Sequence, residues 1–297
     1  MTQNAQNAQS TQSTPDTQNA PEAGNGTVLV VGGTGKTGRR VAQRLTARGI
    51  PVRIGSRAAA PPFVWEDPAT WDAALEGVGS VYVTYYPDLG LPGAADAIGA
   101  FSAQAVARGA RRLVLLSGRG DKGALDSEER VKESGADWTV LRASWFHQNF
   151  SESFFLEPVL AGELVLPTGD AVEPFIDADD IADVATAVLT GPGHTGRTYE
   201  LTGPRSLGFG EVAAELTRVT GREIHYRPVP VDLYRAGLEA RGLPVEFADL
   251  FGLILDGRNA VPAHGVREVL GREPRDFADY VRETAATGVW NGAPDRP

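Results

Sequence analysis

The chain has 297 residues, which is enough for one large domain or for a domain with a smaller lid. Its formal net charge of -10 excludes a general nucleic-acid-binding surface, and the absence of cysteine excludes disulfides, thiolate metal sites and cysteine nucleophiles. No apolar run approaches the length of a membrane span, so we expect a cytoplasmic protein without a membrane partner.

The first 25 residues form a polar tract of Gln, Asn, Ser and Thr with no apolar core. Such a segment buries too little surface to offset the entropy lost on ordering. The sequence therefore predicts a disordered tail at 1–25.

From residue 27 onward, short apolar segments alternate with longer amphipathic ones. The apolar segments predict strands at 27–32, 52–57, 63–65, 80–87, 111–118 and 137–144. The amphipathic segments predict helices at 36–49, 67–78, 92–109 and 127–135. Strands that alternate with helices at this spacing form a parallel sheet covered on both faces. We therefore predict an α/β fold, a doubly wound parallel sheet of the Rossmann type, over residues 26–155.

After about residue 149 the alternation becomes irregular. A further strand and a strongly periodic helix are predicted within 174–191, and a strand follows at 198–204. A helix is expected from about Gly208, then a strand at 223–230 and a mostly helical remainder. We expect residues 172–203 to complete the Rossmann domain. Residues 156–171 and 204–297 then form a smaller C-terminal substrate-binding or lid domain.

A glycine-rich turn joins the first strand to the first helix, with Gly32, Gly35 and Gly38 at three-residue spacing. In dinucleotide-binding folds these glycines permit the tight turn, the approach of the backbone to the pyrophosphate, and close packing of the helix on the strand. The pyrophosphate lies on the free amides and the positive dipole end of the helix. We therefore favour a dinucleotide site over an ordinary glycine-rich turn. The cofactor residues predicted in this turn are Gly32, Thr34, Gly35, Lys36, Thr37 and Gly38.

The letters GKT at 35–37 raise a second possibility, the phosphate-binding loop of nucleoside triphosphatases. Its pattern requires glycine at position 30, where this chain has Val30. The apolar strand also runs on to Val31, which leaves no room for the long loop that wraps a triphosphate. The dinucleotide interpretation is the better match.

The end of the second strand indicates which dinucleotide binds. Sites for NAD carry an acidic residue about 20 positions after the glycines, where it binds the ribose 2′-hydroxyl. Residues 39–65 contain no Asp or Glu, and the second strand ends in Ser56 and Arg57. A hydroxyl and an arginine fork suit a 2′-phosphate, so we expect NADP(H) in preference to NAD(H). For Arg44 and Arg48 we favour an ordinary solvated helix face.

Candidate pocket residues follow the later strands, because ligands bind at the carboxyl ends of parallel strands. Adjacent aromatic residues with amides and a histidine suit a flat, apolar small-molecule substrate. We assign Tyr85, Ser117 and Ser144 to the cofactor site. The predicted substrate pocket comprises Tyr86, Trp145, Phe146, His147 and Asn149. The candidate proton donors are Ser117, Tyr86 and His147, and for each the alternative is packing or a solvated loop.

Five segments, in this order, carry a family resemblance: LVVGGTGKTGRRVAQRL, DPATWDAALEGVGSVYV, RRLVLLSG, SGADWTVLRASWFHQNFSE and PFIDADDIADVATAVL. Over roughly residues 27–220 the chain resembles the NmrA-like branch of the atypical short-chain dehydrogenases. GGTGKTG together with SWFHQNFSE is similar to reductases of ergot-alkaloid pathways and to antibiotic-tailoring ketoreductases. The resemblance implies a Rossmann fold, an NADP(H) site and a small lid. The family includes reductases, quinone-reductase-like enzymes and non-catalytic cofactor sensors.

The chain departs from the family in its catalytic residues. Standard members polarise a carbonyl with Ser and Tyr, and a Lys four residues after the Tyr lowers the pKa of its hydroxyl. The lysines here are Lys36, Lys122 and Lys132, and none lies four residues after a tyrosine. Gly120 and Ala124 stand where the family motif falls. The Tyr/Lys dyad is therefore absent.

Loss of a general acid lowers the rate by about 100- to 10,000-fold wherever an alkoxide must be protonated. We therefore expect an NADPH-dependent oxidoreductase that reduces a small cyclic or aromatic metabolite, such as a ketone, quinone, enone or iminium, as a monomer or homodimer. The alternative is a non-catalytic NADP(H)-binding redox sensor.

Asp177, Asp179 and Asp180 allow either a metal site or a helix cap. They precede a periodic apolar helix, where carboxylates cap the amides and suit the helix dipole. The four histidines have no metal-ligand spacing. We therefore favour the cap and expect no metal.

Overall fold

Runs of β-branched and aliphatic residues form short strands throughout the part of the chain that the structure describes. The computed structural model describes residues 26–243, 245, 248, 249, 251 and 256–292; the predicted tail at 1–25 and parts of the predicted C-terminal domain lie outside these ranges. The strands are β1 (Thr27–Val31), β2 (Val52–Gly55), β3 (Val78–Val83), β4 (Arg112–Gly118), β5 (Asp137–Ala143), β6 (Glu163–Leu166), β7 (Val172–Glu173), β8 (Arg197–Leu201), β9 (Leu207–Gly208) and β10 (His225–Pro228).

The helices alternate with the strands over the first 200 residues and dominate thereafter. They are α1 (Lys36–Ala47), α2 (Trp71–Leu75), α3 (Ala94–Ala107), α4 (Lys122–Lys132), α5 (Asn149–Glu152), α6 (Leu156–Ala161), α7 (Ala178–Thr190), α8 (Phe209–Thr220), α9 (Val231–Glu239), α10 (Gly265–Leu270) and α11 (Phe277–Ala285). Within the described ranges, no helix is both long enough and apolar enough to cross a membrane.

Six strands form one parallel sheet in the order β2-β1-β3-β4-β5-β8. The chain runs from β1 outward to β2 and then returns to the other side of β1 as β3, so the strand order reverses at β1. Ligands of open parallel sheets bind beyond the carboxyl ends of the strands at such a reversal. The predicted doubly wound Rossmann sheet is confirmed.

Alternating side chains of the strands form an apolar core on each face of this sheet. On one face Leu29 packs in a cluster with Phe101 of α3. On the other face Val30 packs in a cluster with Val41 of α1 and Ile181 of α7. Both faces of the sheet are apolar, so each is covered by a layer of helices.

The strand predicted at 63–65 is wrong. The Phe63 amide donates to the Ser56 carbonyl at 2.9 Å, and the Val64 amide donates to the Thr70 hydroxyl at 3.1 Å. The Val64 carbonyl accepts from the Trp71 indole at 2.8 Å. Because side chains and a nearby turn satisfy these backbone groups, the segment does not pair with β2, which remains the edge of the sheet.

Two other predicted boundaries change for local reasons. Helix α4 begins at Lys122, before the predicted start at 127, because the Asp121 side chain accepts the Gly123 amide and caps the earlier turn. The strand predicted near 174 is a single bridge between Phe146 and Ile176.

Outside the main sheet, β6 pairs with β10 and β7 pairs with β9. The predicted strands at 198–204 and 223–230 and the helix from about 208 are confirmed as β8, β10 and α8. A third apolar cluster includes Phe150, Phe155, Phe209 and Phe277 and joins the segment after β5 to α8 and α11. The division of the chain into a Rossmann domain and a lid domain stays a prediction.

Helices α1 and α7 are joined by ion pairs. Arg40 and Arg44 reach Asp179 at 3.1 and 2.7 Å, and Arg44 also binds Asp183. The prediction that Arg44 lies on a solvated face is wrong, because α7 packs beside it and supplies the carboxylates. Arg48, one turn later, is exposed.

Arg112 at the start of β4 closes the carboxyl end of α7. Its guanidinium donates to the carbonyls of Val188, Leu189 and Gly191 at 3.2, 2.8 and 3.0 Å. These carbonyls lie at the carboxyl end of α7. The last carbonyls of a helix have no amide donor within the helix, so Arg112 supplies the missing hydrogen bonds.

We expect Arg112→Met to lower the free energy of unfolding by about 1.5–3 kcal/mol, because hydrogen bonds from a charged donor to the end of α7 are lost. The neighbouring exposed Arg111 provides the matched control, and Arg111→Met should change stability by less than about 0.5 kcal/mol. Urea unfolding of the two variants measures the difference. Equal stabilities would show that Arg112 does not stabilise the end of α7.

Candidate functional site

The glycine-rich turn is held tightly against the end of the sheet. The amides of Gly32 and Gly33 donate to the Gly55 carbonyl at the end of β2, at 2.9 and 3.3 Å. Gly32 has a φ of +67°, and a Cβ there would lie 2.2 Å from the Thr84 hydroxyl oxygen. That hydroxyl itself donates to the Val31 carbonyl at 2.9 Å. Glycine at 32 is therefore required both by the backbone conformation and by the space.

Gly38 allows α1 to begin directly on this turn. A Cβ on Gly38 would lie 2.2 Å from the Gly32 carbonyl oxygen. Gly35 precedes the helix in an extended conformation, no described side chain caps α1, and its first turn contains no acidic residue. The amides and dipole of this helix end therefore remain available to an anion. Together with the exposed Thr34 at the tip, these residues fit the pyrophosphate of a dinucleotide.

Ser56 and Arg57 directly follow the carbonyl that anchors the turn, so they lie beside it. Arg57 is exposed and forms no hydrogen bond or ion pair with any residue in the described ranges. By contrast, Arg53 donates to the carbonyls of Ala74 and Glu76 at the end of α2. At this edge of the turn, Arg57 is thus free to bind a ligand whereas Arg53 is not.

Lys36 connects the glycine-rich turn to the loop that follows β5. Its ammonium group donates to the Asn149 side-chain oxygen at 3.0 Å, although the two residues are 113 positions apart in the sequence. It also lies 5.8 Å from the centre of the Phe146 ring and 5.9 Å from that of Phe154. Burial lowers the pKa of Lys36, and the nearby Glu152 carboxylate opposes this effect. The fold therefore brings together the predicted cofactor turn and two predicted pocket residues.

Thr37, the next residue of α1, points away from the tip of the turn. Its side chain is buried beside the Tyr82 hydroxyl of β3. Any contact of Thr37 with a phosphate at the tip is therefore restricted to its backbone amide.

The loop after β5 is fixed by hydrogen bonds to the segment that precedes α7. The Ile176 amide donates to the Trp145 carbonyl at 2.8 Å, and the His147 amide donates to the Ile176 carbonyl at 2.9 Å. The Gln148 side chain donates to the Asp177 carboxylate and accepts a hydrogen bond from the Ala178 amide, both at 2.8 Å. Asp177 also accepts the amide two residues later and caps α7, as predicted.

His147 lies behind this loop and has no exposed surface. Its ring packs 5.1 Å from both Phe277 and Tyr280, and its Nε2 atom lies 2.9 Å from the Phe175 carbonyl oxygen. Burial acts to raise the pKa of Asp177, but contacts with His147 and nearby amides outweigh it and bring the pKa to about 2. An ionised Asp177 next to this ring indicates that His147 holds the loop in place.

The aromatic residues of the loop form one cluster with the following segment. The Trp145 ring stacks on Phe155 at 5.9 Å, and it contacts Phe154 at 5.7 Å and Phe251 at 4.9 Å between centroids. Trp145 is half-buried and Phe154 is half-exposed, so the cluster has an open side. This surface suits a flat apolar molecule.

Tyr85 and Tyr86 follow β3 but have different surroundings. Tyr85 is half-buried and packs 5.0 Å from the Trp65 ring. Tyr86 is 74% exposed and stacks on no described aromatic residue. Tyr86 is therefore not part of the cluster around Trp145.

Ser117 at the end of β4 is buried and hydrogen-bonded to a carboxylate. Its hydroxyl donates to Glu128 of α4 at 2.7 Å, and Arg142 of β5 binds the same carboxylate through two nitrogens at 2.8 and 2.6 Å. The Ser117 proton is therefore engaged by Glu128 instead of pointing at the strand ends.

Ser144 and Glu173 form a second buried polar group at the strand ends. Their exposed fractions are 3% and 1%, and neither the hydroxyl nor the carboxyl group has a hydrogen-bond partner of standard geometry among the described residues. Burial raises the pKa of Glu173 to about 7, an effect only partly offset by the neighbouring Ser144 hydroxyl and Trp145 amide. Glu173 is therefore a carboxyl group that can carry a proton near neutral pH.

Sequence reasoning missed Glu128, Arg142 and Glu173. Arg142 and Glu173 each interrupt an apolar segment, at 139–143 and 172–176, and this is a signal for a buried charged group. Glu128 lies in a polar helical segment, where nothing in the sequence marks it as buried.

We expect Gly32→Ala to weaken NADPH binding at least about tenfold, because the new methyl group must displace Thr84 and deform the turn. Gly49→Ala is the matched control: Gly49 also has a positive φ, of +72°, but its added Cβ would meet no atom within 4 Å. Both variants carry the backbone cost of about 1–2 kcal/mol. Titration with NADPH separates the two, and equal dissociation constants would contradict this account of the turn.

No protein-family model matches the chain. Curated relatives match it almost from end to end. It is 33% identical to agroclavine dehydrogenase of Claviceps fusiformis over 290 residues, which cover 89% of this chain and 98% of that protein. It is also 33% identical to (4-alkanoyl-5-oxo-2,5-dihydrofuran-3-yl)methyl phosphate reductase of Streptomyces griseus over 283 residues, 87% of this chain and 98% of that protein.

The fold is that of known NADP(H)-binding structures. The triphenylmethane reductase of Citrobacter sp. in complex with NADP(H) superimposes with a TM-score of 0.69 at 19% identity, over 87% of this chain and 99% of that one. Together with the end-to-end relatives, this shows that the chain belongs to the NmrA-like branch of the atypical short-chain dehydrogenases/reductases, a family that includes NAD(P)H-dependent reductases.

Proposed function

We propose that the protein uses NADPH to reduce a small cyclic or aromatic metabolite, such as a ketone, quinone, enone or iminium, without a Tyr/Lys dyad. The observation that carries the proposal is the 3.0 Å bond between Lys36 and Asn149. This bond joins the turn that fits a pyrophosphate to an aromatic loop that suits a flat substrate. The nicotinamide cofactor supplies the hydride; the residues of this chain bind and orient both molecules.

The preference for NADPH rests on Arg57 and Ser56. Arg57 is exposed beside the glycine-rich turn and bonds to no described residue, whereas Arg40 and Arg44 are paired with carboxylates of α7. Residues 39–65 contain no Asp or Glu that could accept a ribose 2′-hydroxyl. These features support a 2′-phosphate bound by the Arg57 fork and the Ser56 hydroxyl.

The substrate class rests on the loop after β5. Trp145, Phe146 and Phe154 offer aromatic surface next to the ammonium group of Lys36. The Streptomyces griseus relative is named for a substrate with an oxo-dihydrofuran ring, which supports a cyclic substrate here. We assign Trp145, Phe146 and Asn149 to the substrate pocket, and Tyr85 and Ser144 to the nicotinamide end of the cofactor site, because they follow β3 and β5.

The candidate proton donors of the sequence differ in their suitability. The packing of His147 against Phe277 and Tyr280 and the bond from Ser117 to Glu128 favour positioning roles for these two residues. Tyr86 is free in solvent, so it reaches a substrate only if its loop moves. None of the three reproduces the missing dyad, and this favours acceptors that are already polarised.

We also propose that residues 156–171 and 204–297 act as the substrate-binding or lid part. The apolar cluster that joins Phe150 and Phe155 to Phe209 and Phe277 supports this, because it ties the loop after β5 to the C-terminal helices. Such packing keeps water away from the substrate surface.

We expect Arg57→Ala to weaken NADPH binding by about 1.5–3 kcal/mol, the value of a hydrogen bond to a charged group, and to leave NADH binding nearly unchanged. Arg48→Ala is the matched control, since Arg48 is an exposed arginine at the other end of α1. Titrations of the wild type and both variants with NADPH and with NADH give the six dissociation constants. An equal loss for both cofactors on Arg57→Ala would refute the 2′-phosphate assignment.

We expect the purified protein to oxidise NADPH in the presence of at least one class among quinones, enones, cyclic imines and polycyclic ketones. Loss of absorbance from the reduced nicotinamide measures the rate. Gly32→Ala serves as the control, because it retains the substrate loop but binds the cofactor weakly. Tight NADPH binding without turnover on any class would contradict the reductase proposal.

A further inference from the structure

Two buried glutamates lie near the carboxyl ends of the strands, and their surroundings are opposite. Glu128 has no exposed surface and is bound by Arg142 through two nitrogens. Glu173 is 1% exposed and accepts no hydrogen bond of standard geometry from any described residue. Of the two, Glu173 is the carboxyl group whose surroundings suit an acid.

Glu173 lies where a substrate of this sheet is expected. It belongs to β7, and the segment that follows it is wedged between two strand ends: the Ile176 amide donates to the Trp145 carbonyl after β5, and the Gly203 amide donates to the Pro174 carbonyl after β8. The carboxyl ends of the parallel strands are the ligand-binding edge of such folds. The glycine-rich turn lies at this same edge.

Within the described ranges, no neighbouring element gives the Glu173 carboxyl group a hydrogen-bond partner of standard geometry. The loop after β5 offers the Ser144 hydroxyl and the Trp145 amide, and β9 offers the uncharged Leu207 and Gly208. Arg119 at the end of β4 is the charged side chain that acts on Glu173. Its guanidinium, however, is already bound to Glu200 at 3.0 Å and to the Asn259 carbonyl at 2.8 Å.

An unpaired carboxylate is costly to bury, so Glu173 is mainly the neutral acid below about pH 7. The Ser144 hydroxyl beside it is buried and also unpartnered among the described residues. Buried polar groups in native proteins are almost always hydrogen-bonded, so two adjacent exceptions at a ligand-binding edge indicate a partner that arrives with the ligand.

We propose that Glu173 is the proton donor of the reduction and that the Ser144 hydroxyl beside it donates a hydrogen bond to the same substrate atom. The inference rests on the proposed function and deepens it. It replaces the missing tyrosine by a carboxylic acid from a different part of the fold, on the strand-end segment 172–176.

The proposal fixes the class of substrate. A carbonyl, enone or quinone that accepts a hydride becomes an alkoxide, enolate or phenolate, and each of these needs a proton. Glu173 supplies that proton to the oxygen atom or to its conjugated carbon, is left as a carboxylate, and recovers a proton from solvent. An iminium becomes a neutral amine on accepting a hydride and needs no proton. The substrate is therefore an oxygen-polarised acceptor.

The first test compares the wild type with Glu173→Gln on cyclic ketones and on cyclic iminium ions, with NADPH as reductant. We expect Glu173→Gln to lower kcat on the ketones by about 100- to 10,000-fold and to leave turnover of any iminium and the NADPH dissociation constant nearly unchanged. Glu173→Asp keeps the acid and should retain part of the lost rate. Equal losses on both acceptor classes would show a merely structural role and overturn the proposal.

The pH profile gives an independent readout of the same residue. Wild-type kcat/KM for a ketone should fall about tenfold per pH unit above about pH 7, because the reactive form is protonated. A rise through the same range would mean that the carboxylate binds a cationic substrate, and would overturn the acid role. Glu173→Gln should lose this dependence.

Thermal unfolding tests the protonation state without any turnover. The pKa of Glu173 is raised in the folded state from 4.5 to about 7, so the folded protein binds the proton more tightly than the unfolded chain. The resulting stabilisation is complete below about pH 4.5 and is lost as the pH rises through about 7. The Tm of Glu173→Gln should therefore rise relative to the wild type between about pH 5 and about pH 8.

The control for the substitution is Glu163→Gln, at an exposed glutamate of β6 that pairs with Arg227 at 2.7 Å. Its Tm should show no such rise relative to the wild type. If the difference in Tm between Glu173→Gln and the wild type does not change with pH, the proposal is overturned even if the enzyme is active. Absence of turnover by the wild type on every acceptor would overturn the proposed function itself, so the two failures are distinguishable.

Discussion

The close approach of α1 to the end of β1 determines the positions of the glycine-rich turn and of Lys36 at the carboxyl ends of the strands. A single added carbon on Gly38 would lie 2.2 Å from the Gly32 carbonyl oxygen, and one on Gly32 would lie 2.2 Å from the Thr84 hydroxyl. Three elements, β1, β3 and α1, are thus in contact where no side chain fits. Because the turn is this tight, the amides of α1 face the strand ends without a cap, and Lys36 emerges on the side of the loop after β5.

Charge then fixes how the second half of the chain packs on the first. Arg40 and Arg44 of α1 bind carboxylates of α7, and Arg40 also reaches Glu152 at 2.8 Å. The same α7 is capped by Asp177, which holds the loop after β5 through Gln148. Half-buried pairs of this kind cost desolvation energy, so their main effect is to select one arrangement of the helices.

Sequence reasoning predicted the parts of the fold that depend on local pattern. The glycine spacing, the parallel sheet and the Asp177 cap each follow from residues within one turn or one strand. The failures were a short strand and a helix start, which local side-chain bonds changed, and side-chain contacts between different elements. Arg44 binds Asp179, which is 135 residues away in the sequence. Ser117 bonds to Glu128 because α4 packs against β4. The sequence marks Glu173 only as a charged residue within an apolar segment. That its carboxyl group has no hydrogen-bond partner of standard geometry among the described residues is visible only in three dimensions.

The absence of a strand at 63–65 leaves β2 as the outermost strand of the sheet, and this bears on association between chains. An unpaired strand offers its backbone amides and carbonyls to any other extended segment and is a common starting point for aggregation. Here the exposed strand is only four residues long, Val52–Gly55, and it is preceded by Pro51, which has no amide to donate. Its Arg53 side chain is anchored to the end of α2. The side of the sheet beside Arg57 is therefore poorly able to recruit a neighbouring chain.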